Sequence, residues 1–198
     1  MSINIVNQLV ENLHLAPLQK IDPTTEKVVD HNTENTESAL TQAIVPTVVA
    51  GIYDSAKSEV GLAVLASDAT SSDWLTLLFG EQAPTLKARL AAYTATTETI
   101  AEKVFDTVAK EAVAILRNAA KGNDMRTAIR DIAGAQKPFF MSYLPTSLHV
   151  GQLLGDTSLD DSTNKMEGPV SSFLHKLESA LSGNESKDAA DEKKDQRM

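Results

Sequence analysis

The chain contains no cysteine. That removes disulfides, thiolate metal sites and cysteine nucleophiles together, and it fits a reducing compartment. Basic charge is also scarce, with 18 Lys and Arg against 27 Asp and Glu and a net charge of −9. Broad binding to a phosphate backbone needs clustered Lys and Arg, so this balance disfavours it. No apolar run reaches bilayer length. The longest, "AIVPTVVAGIY" from Ala43 to Tyr53, is too short to span and carries Pro46. The opening "MSINIVNQLVENLHL" holds no Lys or Arg and so lacks the basic region of a secretory signal. We expect a soluble, cytoplasmic chain with no membrane segment.

Catalytic and nucleotide signatures are missing as well. There is no G-x-x-x-x-G-K-[ST] or G-x-G-x-x-G to cradle phosphates, and no G-x-S-x-G elbow for a serine nucleophile. His14, His31, His149 and His175 lie far apart and show no H-E-x-x-H spacing. His14 and His175 read as helix-surface residues and His31 as part of a polar stretch. His149 lies in an apolar stretch and reads as a hydrogen-bonded core histidine.

What is present is helical patterning in a chain of 198 residues that is 42% hydrophobic, enough for one real core. Ile5, Val6, Leu9, Val10 and Leu13 fall on one side of a helix spanning 3–13. Asp22 is placed to cap a turn that opens with Pro23. "DHNTENTES", Asp30 to Ser38, is almost wholly polar and reads as a linker. A helix resumes near Glu37, and Pro46, which has no amide hydrogen, should kink it or restart it after Val45.

Two short apolar turns follow, "SEVGLAVLA" and "SDWLTLLFG", capped by Ser and Asp, and then the helical "PTLKARLAAYT". From Thr97 to Ala120, Ala101, Phe105, Val108, Ala112, Ile115 and Ala119 recur at alternating spacings of four and three, with Asp106 and Lys110 placed for a flanking ion pair. The stretch is under three heptads, so it reads as the central helix of a bundle in preference to a dimeric coiled coil. Asn123 should cap the next helix, and Pro138 and Pro145 should force turns or helix starts. "PVSSFLHKLESALSG" is a final amphipathic helix with Gly183 as its end signal. The charged "NESKDAADEKKDQRM" has the composition of a disordered tail.

No segment alternates with a period of two. We therefore expect an all-α fold: a compact bundle of many short helices around one long central helix, several kinked at proline, with a disordered C-terminal tail. The expected divisions are an N-terminal helical segment at 1–29, a polar linker at 30–38, a helical domain at 39–182 and a charged tail at 183–198.

"VPTVVAGI" from Val45 and "LPTSLHVGQLL" from Leu144 echo one another, each with Pro-Thr, an apolar turn and a glycine (Gly51 and Gly151). The stretch "ESALTQAIVPTVVAGI", with the Gly-punctuated apolar turns and the Ala-rich helix after it, resembles the YidB-like family of bacterial domains of unknown function. The similarity covers about Glu37 to Ala120. It implies an all-helical bacterial fold with a homeodomain-like three-helix piece, and it carries over no activity and no catalytic residue.

Two stretches carry candidate chemistry. The acidic "GDTSLDDSTNKMEGPV" offers Asp156, Asp160, Asp161 and Glu167 as oxygen donors for a hard cation. Counted from Asp156, the twelfth residue is the carboxylate Glu167 that an EF-hand loop wants, but the sixth is Asp161 where that loop needs glycine. The connector reading is preferred, with Asp161 or Ser162 capping a turn. The basic locus holds Arg117, Lys121, Arg126, Arg130 and Lys137. Arg126 and Arg130 share a helix face, and a nucleic acid would dock there if anywhere. The carboxylate pairs Glu98/Glu102 and Glu102/Asp106 read as a solvated face.

With no reactive constellation, the favoured function is a non-catalytic protein-interaction or assembly module that uses no cofactor and has a protein partner or a second copy of itself. The small-residue seam of the long helix is its candidate contact surface, and the apolar "KPFFMSYLP" is a second one, although the core reading of that stretch is preferred. The alternatives are a nucleic-acid binder through the homeodomain-like piece and a metal-dependent enzyme built on the Asp-rich loop.

Overall fold

The computed structural model describes residues 3–21, 36–67, 73–122 and 124–160. All of them fall in one compact unit, Met1–Ser162. The Asp22–Pro23 turn, His31 and most of the expected linker lie outside the described residues. So do Asn123, Asp161, Glu167, the expected last helix with His175, and the tail.

The described residues form helices joined by turns, with no strand among them. In chain order the α-helices are α1 (Ile5–Asn12), α2 (Thr36–Ser55), α3 (Glu59–Ala66), α4 (Trp74–Phe79), α5 (Ala83–Tyr93), α6 (Glu98–Ala119), α7 (Met125–Gly134), α8 (Lys137–Phe140) and α9 (Val150–Leu154). Short 3-10 turns fill several of the connections. Side-chain caps start most of the longer elements. Asn4 accepts from the Asn7 amide, Ser58 from Gly61, Asp73 from Thr76, Thr97 from Ile100 and Asp124 from Thr127. The cap of α7 is thus Asp124, one residue after the expected Asn123.

α2 is continuous through Pro46, so the expected restart after Val45 is absent. An interior proline costs a helix about 3 kcal/mol relative to alanine. Here every residue from Thr41 to Ile52 is buried, so packing on all sides outweighs that loss. The polar side chains in this stretch are satisfied internally. Thr47 donates to the Ala43 carbonyl at 2.6 Å, and Gln42 bonds outward to Gln19 and Tyr143.

α6 is the longest helix and packs against α1 to α5 and α7. Of the predicted seam, Ala101, Phe105, Val108, Ala112 and Ile115 are buried in this chain's own core, while Ala119 is exposed. The seam is therefore occupied by the molecule's own helices. Asp106 faces α4, not Lys110: its Oδ1 accepts the amides of Trp74 at 2.8 Å and Leu75 at 3.1 Å. Burial pushes the Asp106 carboxyl above its ordinary value, although these two amides pull the other way. "KPFFMSYLP" takes its preferred reading as core and not as an exposed patch, since Phe140, Met141 and Leu144 are buried.

The two echoing Pro-Thr stretches adopt different structures. Pro46 lies inside α2, whereas Pro145 precedes a 3-10 turn outside any α-helix. Their glycines are both needed for close approach. A Cβ on Gly51 would meet the Phe79 ring at 2.9 Å, and one on Gly151 would meet the Asp156 carbonyl at 2.5 Å.

Three helices end in a Schellman turn, in which the second amide past the cap reaches back to the third-last carbonyl. Leu15 bonds to Val10, Thr96 to Ala91 and Asp156 to Gly151. The residue between must be left-handed. It is Gly155 in the third turn but His14 and Ala95 in the first two, at φ 52° and 50°. A side chain in that region costs about 1–2 kcal/mol. Replacing Ala95 with glycine should therefore stabilise the fold by up to about 1 kcal/mol, less what glycine's added chain entropy removes. Gly61→Ala should do the opposite, by about 2 kcal/mol or more, because its Cβ would lie 2.0 Å from the Ser55 carbonyl oxygen. Denaturant midpoints at unchanged slope would read both.

Candidate interaction groove

The turn that ends α1 builds one wall of a cleft. The left-handed His14 is itself exposed, and the leucines on either side of it, Leu13 and Leu15, are half-buried against the core. The other wall is α6, which contributes Lys103, Val104, Thr107 and Val108. Between them is an open apolar cleft of about 270 Å³. That is somewhat below the range of about 300–1,000 Å³ for sites that enclose a drug-sized ligand, so it suits one or two inserted side chains.

Val108 is the floor at 2% exposure, Val104 is half-buried, and Lys103 and Thr107 form an exposed rim. Thr107 spends its hydroxyl proton on the Lys103 carbonyl at 2.8 Å. One end of the cleft is tied by Asn12, whose amide donates to Glu111 at 2.8 Å. The N-terminal segment is held in place from below by a buried glutamine. Gln136 accepts the Ile5 amide at 3.0 Å and donates to the Ile3 and Ile132 carbonyls.

The acidic stretch has a different role. Asp156 pairs with Lys57 at 2.8 Å and accepts the amide and hydroxyl of Ser158. Asp160 turns back on α9, accepting the Gly151 amide at 2.8 Å and the Gln152 amide at 2.6 Å. Both carboxylates are thus engaged by the protein's own donors, and the described residues hold no cluster of three or more His, Asp or Glu suited to a metal. Asp161 and Glu167 lie outside them. Lys137 donates to the Ser158 hydroxyl at 3.0 Å, and that hydroxyl in turn donates to Asp156. This Lys–Ser–Asp–Lys chain ties the turn after α9 to α8 and to the end of α2.

The basic residues are dispersed. Arg117 caps the C-terminus of α3 through the Leu65 carbonyl at 2.7 Å, and Arg130 pairs with Glu59. Lys121 and Arg126 are exposed. Glu98 and Glu102 share Lys87, at 3.9 and 3.6 Å. His149 is not a core residue. It is exposed with a left-handed backbone, and its carbonyl, with that of Leu148, accepts from Arg89. Of the groove residues, the sequence reading places Leu13 and Val108 on core-facing helix sides and gives Leu15, Lys103, Val104 and Thr107 no role. The available signal was Ile100 and Val104, apolar residues of α6 that lie beside the seam and not in it.

Compared with known protein families, curated proteins and solved structures, the chain matches none.

Hydrogen bonds from Lys57 and then Ser158 hold the Asp156 carboxyl below its ordinary value. A carboxyl with a lowered folded pKa adds stability above its unfolded pKa and loses it as pH falls through the folded value. For Lys57, burial alone would lower the pKa, but bonds to Asp156 and Asp54 outweigh it and leave the value raised. Its contribution is lost in alkali as pH rises through that value. The wild type should lose thermal stability below about pH 5 more steeply than Asp156→Asn, which should start lower at neutral pH. Equal acid slopes would refute this clasp.

Proposed function

We propose that this chain is a non-catalytic protein-interaction module that receives a partner in the groove between the end of α1 and α6. The observation that carries this reading is the open apolar cleft floored by Val108 and walled by Leu13, Leu15 and Val104. Apolar surface left open on a well-packed domain is where association recovers the hydrophobic free energy that folding did not. The bonding of Asp156, Asp160, Arg117 and Arg130 within the molecule gives further support, since it leaves the competing metal and nucleic-acid readings fewer free groups. Membership of the YidB-like family and a bacterial setting belong to the same proposal and are supported by the Glu37 to Ala120 pattern alone, and a cytoplasmic setting is supported by the lack of cysteine. No helix among the described residues is long and apolar enough to cross a membrane.

Thr107→Trp fills the cleft from an exposed position and should leave the fold intact, which circular dichroism would check. Crosslinked pull-downs of the wild type from nuclease-treated lysate should recover a stoichiometric protein that the Thr107→Trp bait loses. Identical recovery by both baits, or recovery of the bait alone, would overturn the proposal.

A further inference from the structure

We infer that the groove takes an amphipathic helix of a partner protein that carries a carboxylate beside its apolar anchors, and that Lys103 selects for that carboxylate. This rests on the groove reading above and adds the chemistry of the occupant.

The shape of the site comes from α6. Ile100, Val104 and Val108 stand four apart on one helix, so they form a single stripe about 12 Å long. Its exposure is graded: Ile100 is 47% exposed, Val104 half-buried and Val108 nearly enclosed. The Asn12–Glu111 bond ties the far end, and Glu111 follows Val108 by three residues. The stripe is therefore open toward Ile100. A partner helix laid along it would place two apolar anchors about one turn apart, the spacing of helix-in-groove recognition. The groove walls present no strand edge to which an extended peptide could add.

The charge comes from Lys103. It lies between Ile100 and Thr107 on the rim, three residues from one and four from the other. Lys57, Lys87 and Arg130 each have a carboxylate within 4.0 Å, whereas no ion pair of Lys103 is found among the described residues. Of the acidic residues near Lys103 along α6, Glu98 and Glu102 are turned to Lys87 of α5, and Asp106, three positions on, accepts the Trp74 and Leu75 amides. The rim of an apolar cleft thus carries a cation with no counter-ion among the described residues. A carboxylate arriving with the partner would meet it beside apolar surface, where partial exclusion of water strengthens the pair.

The test uses two capped peptides of about 14 residues, long enough for appreciable helix. Each has leucines four apart. One carries glutamate on the flank facing Lys103 and its twin carries lysine there. Fluorescence anisotropy measures binding to the full chain, to Lys103→Glu and to Thr107→Trp. The glutamate peptide should bind saturably, about fivefold or more weaker to Lys103→Glu, while the lysine peptide shows the reverse preference. Thr107→Trp should abolish both. Equal binding of the two peptides, unchanged by Lys103→Glu but lost in Thr107→Trp, would overturn the carboxylate selection and leave the groove standing. Absence of binding by either peptide, or binding that survives Thr107→Trp, would overturn the groove itself.

Discussion

The complete burial of α2 from Thr41 to Ile52 is the constraint on which the rest of this molecule depends. A helix with no solvent face must be covered on every side, and here the long α6 covers one side and short elements cover the rest, because no single partner could do so. That is why α4 and α5 interrupt the chain between α3 and α6, and why α8 and α9 return to pack on α2. It also explains how a proline persists mid-helix. Whatever bond Pro46 forfeits is outweighed by apolar contacts that any rearrangement of α2 would break.

Enclosure creates a second requirement, since polar atoms trapped near α2 need partners. Two glutamines meet it and in doing so fix the N-terminal segment. Gln42 bonds to Gln19 and Tyr143, and Gln136 bonds to Ile3 and Ile5. An amide can donate and accept at once, so a single side chain can fasten a passing backbone in both directions. The groove is a by-product of this fastening. α1 is held at one end by Gln136 and over α6 by Asn12, and the turn at His14 carries its leucines along a flank of α6 that no other helix among the described residues covers.

The sequence disclosed local features well. Ser58 and Asp73 could be read as caps because a cap depends on a side chain and an amide two or three residues later. The seam of α6 was legible because a single helix carries it. Features that depend on distant residues were not. Asp106 looked like half of an i,i+4 pair, yet it serves α4 from more than thirty positions away. The apolar setting of His149 suggested burial, but a left-handed turn put it outside. The groove was hidden most thoroughly, because its walls come from segments about ninety residues apart and the periodicity of neither wall says that the other lies against it. The acidic stretch kept its ambiguity until Asp160 was seen to cap α9.

The bond between Ile5 and Gln136 spans 131 positions of chain. At about 5–20 residues per second of synthesis, Gln136 follows Ile5 out by something on the order of ten seconds. During that interval α1 lacks this anchor and is left with α2 and the Asn12–Glu111 bond, and an isolated helix of its length is marginal in water. The wall that Leu13 and Leu15 form is therefore fully fastened only once the contact of longest range has closed, the kind that forms slowly.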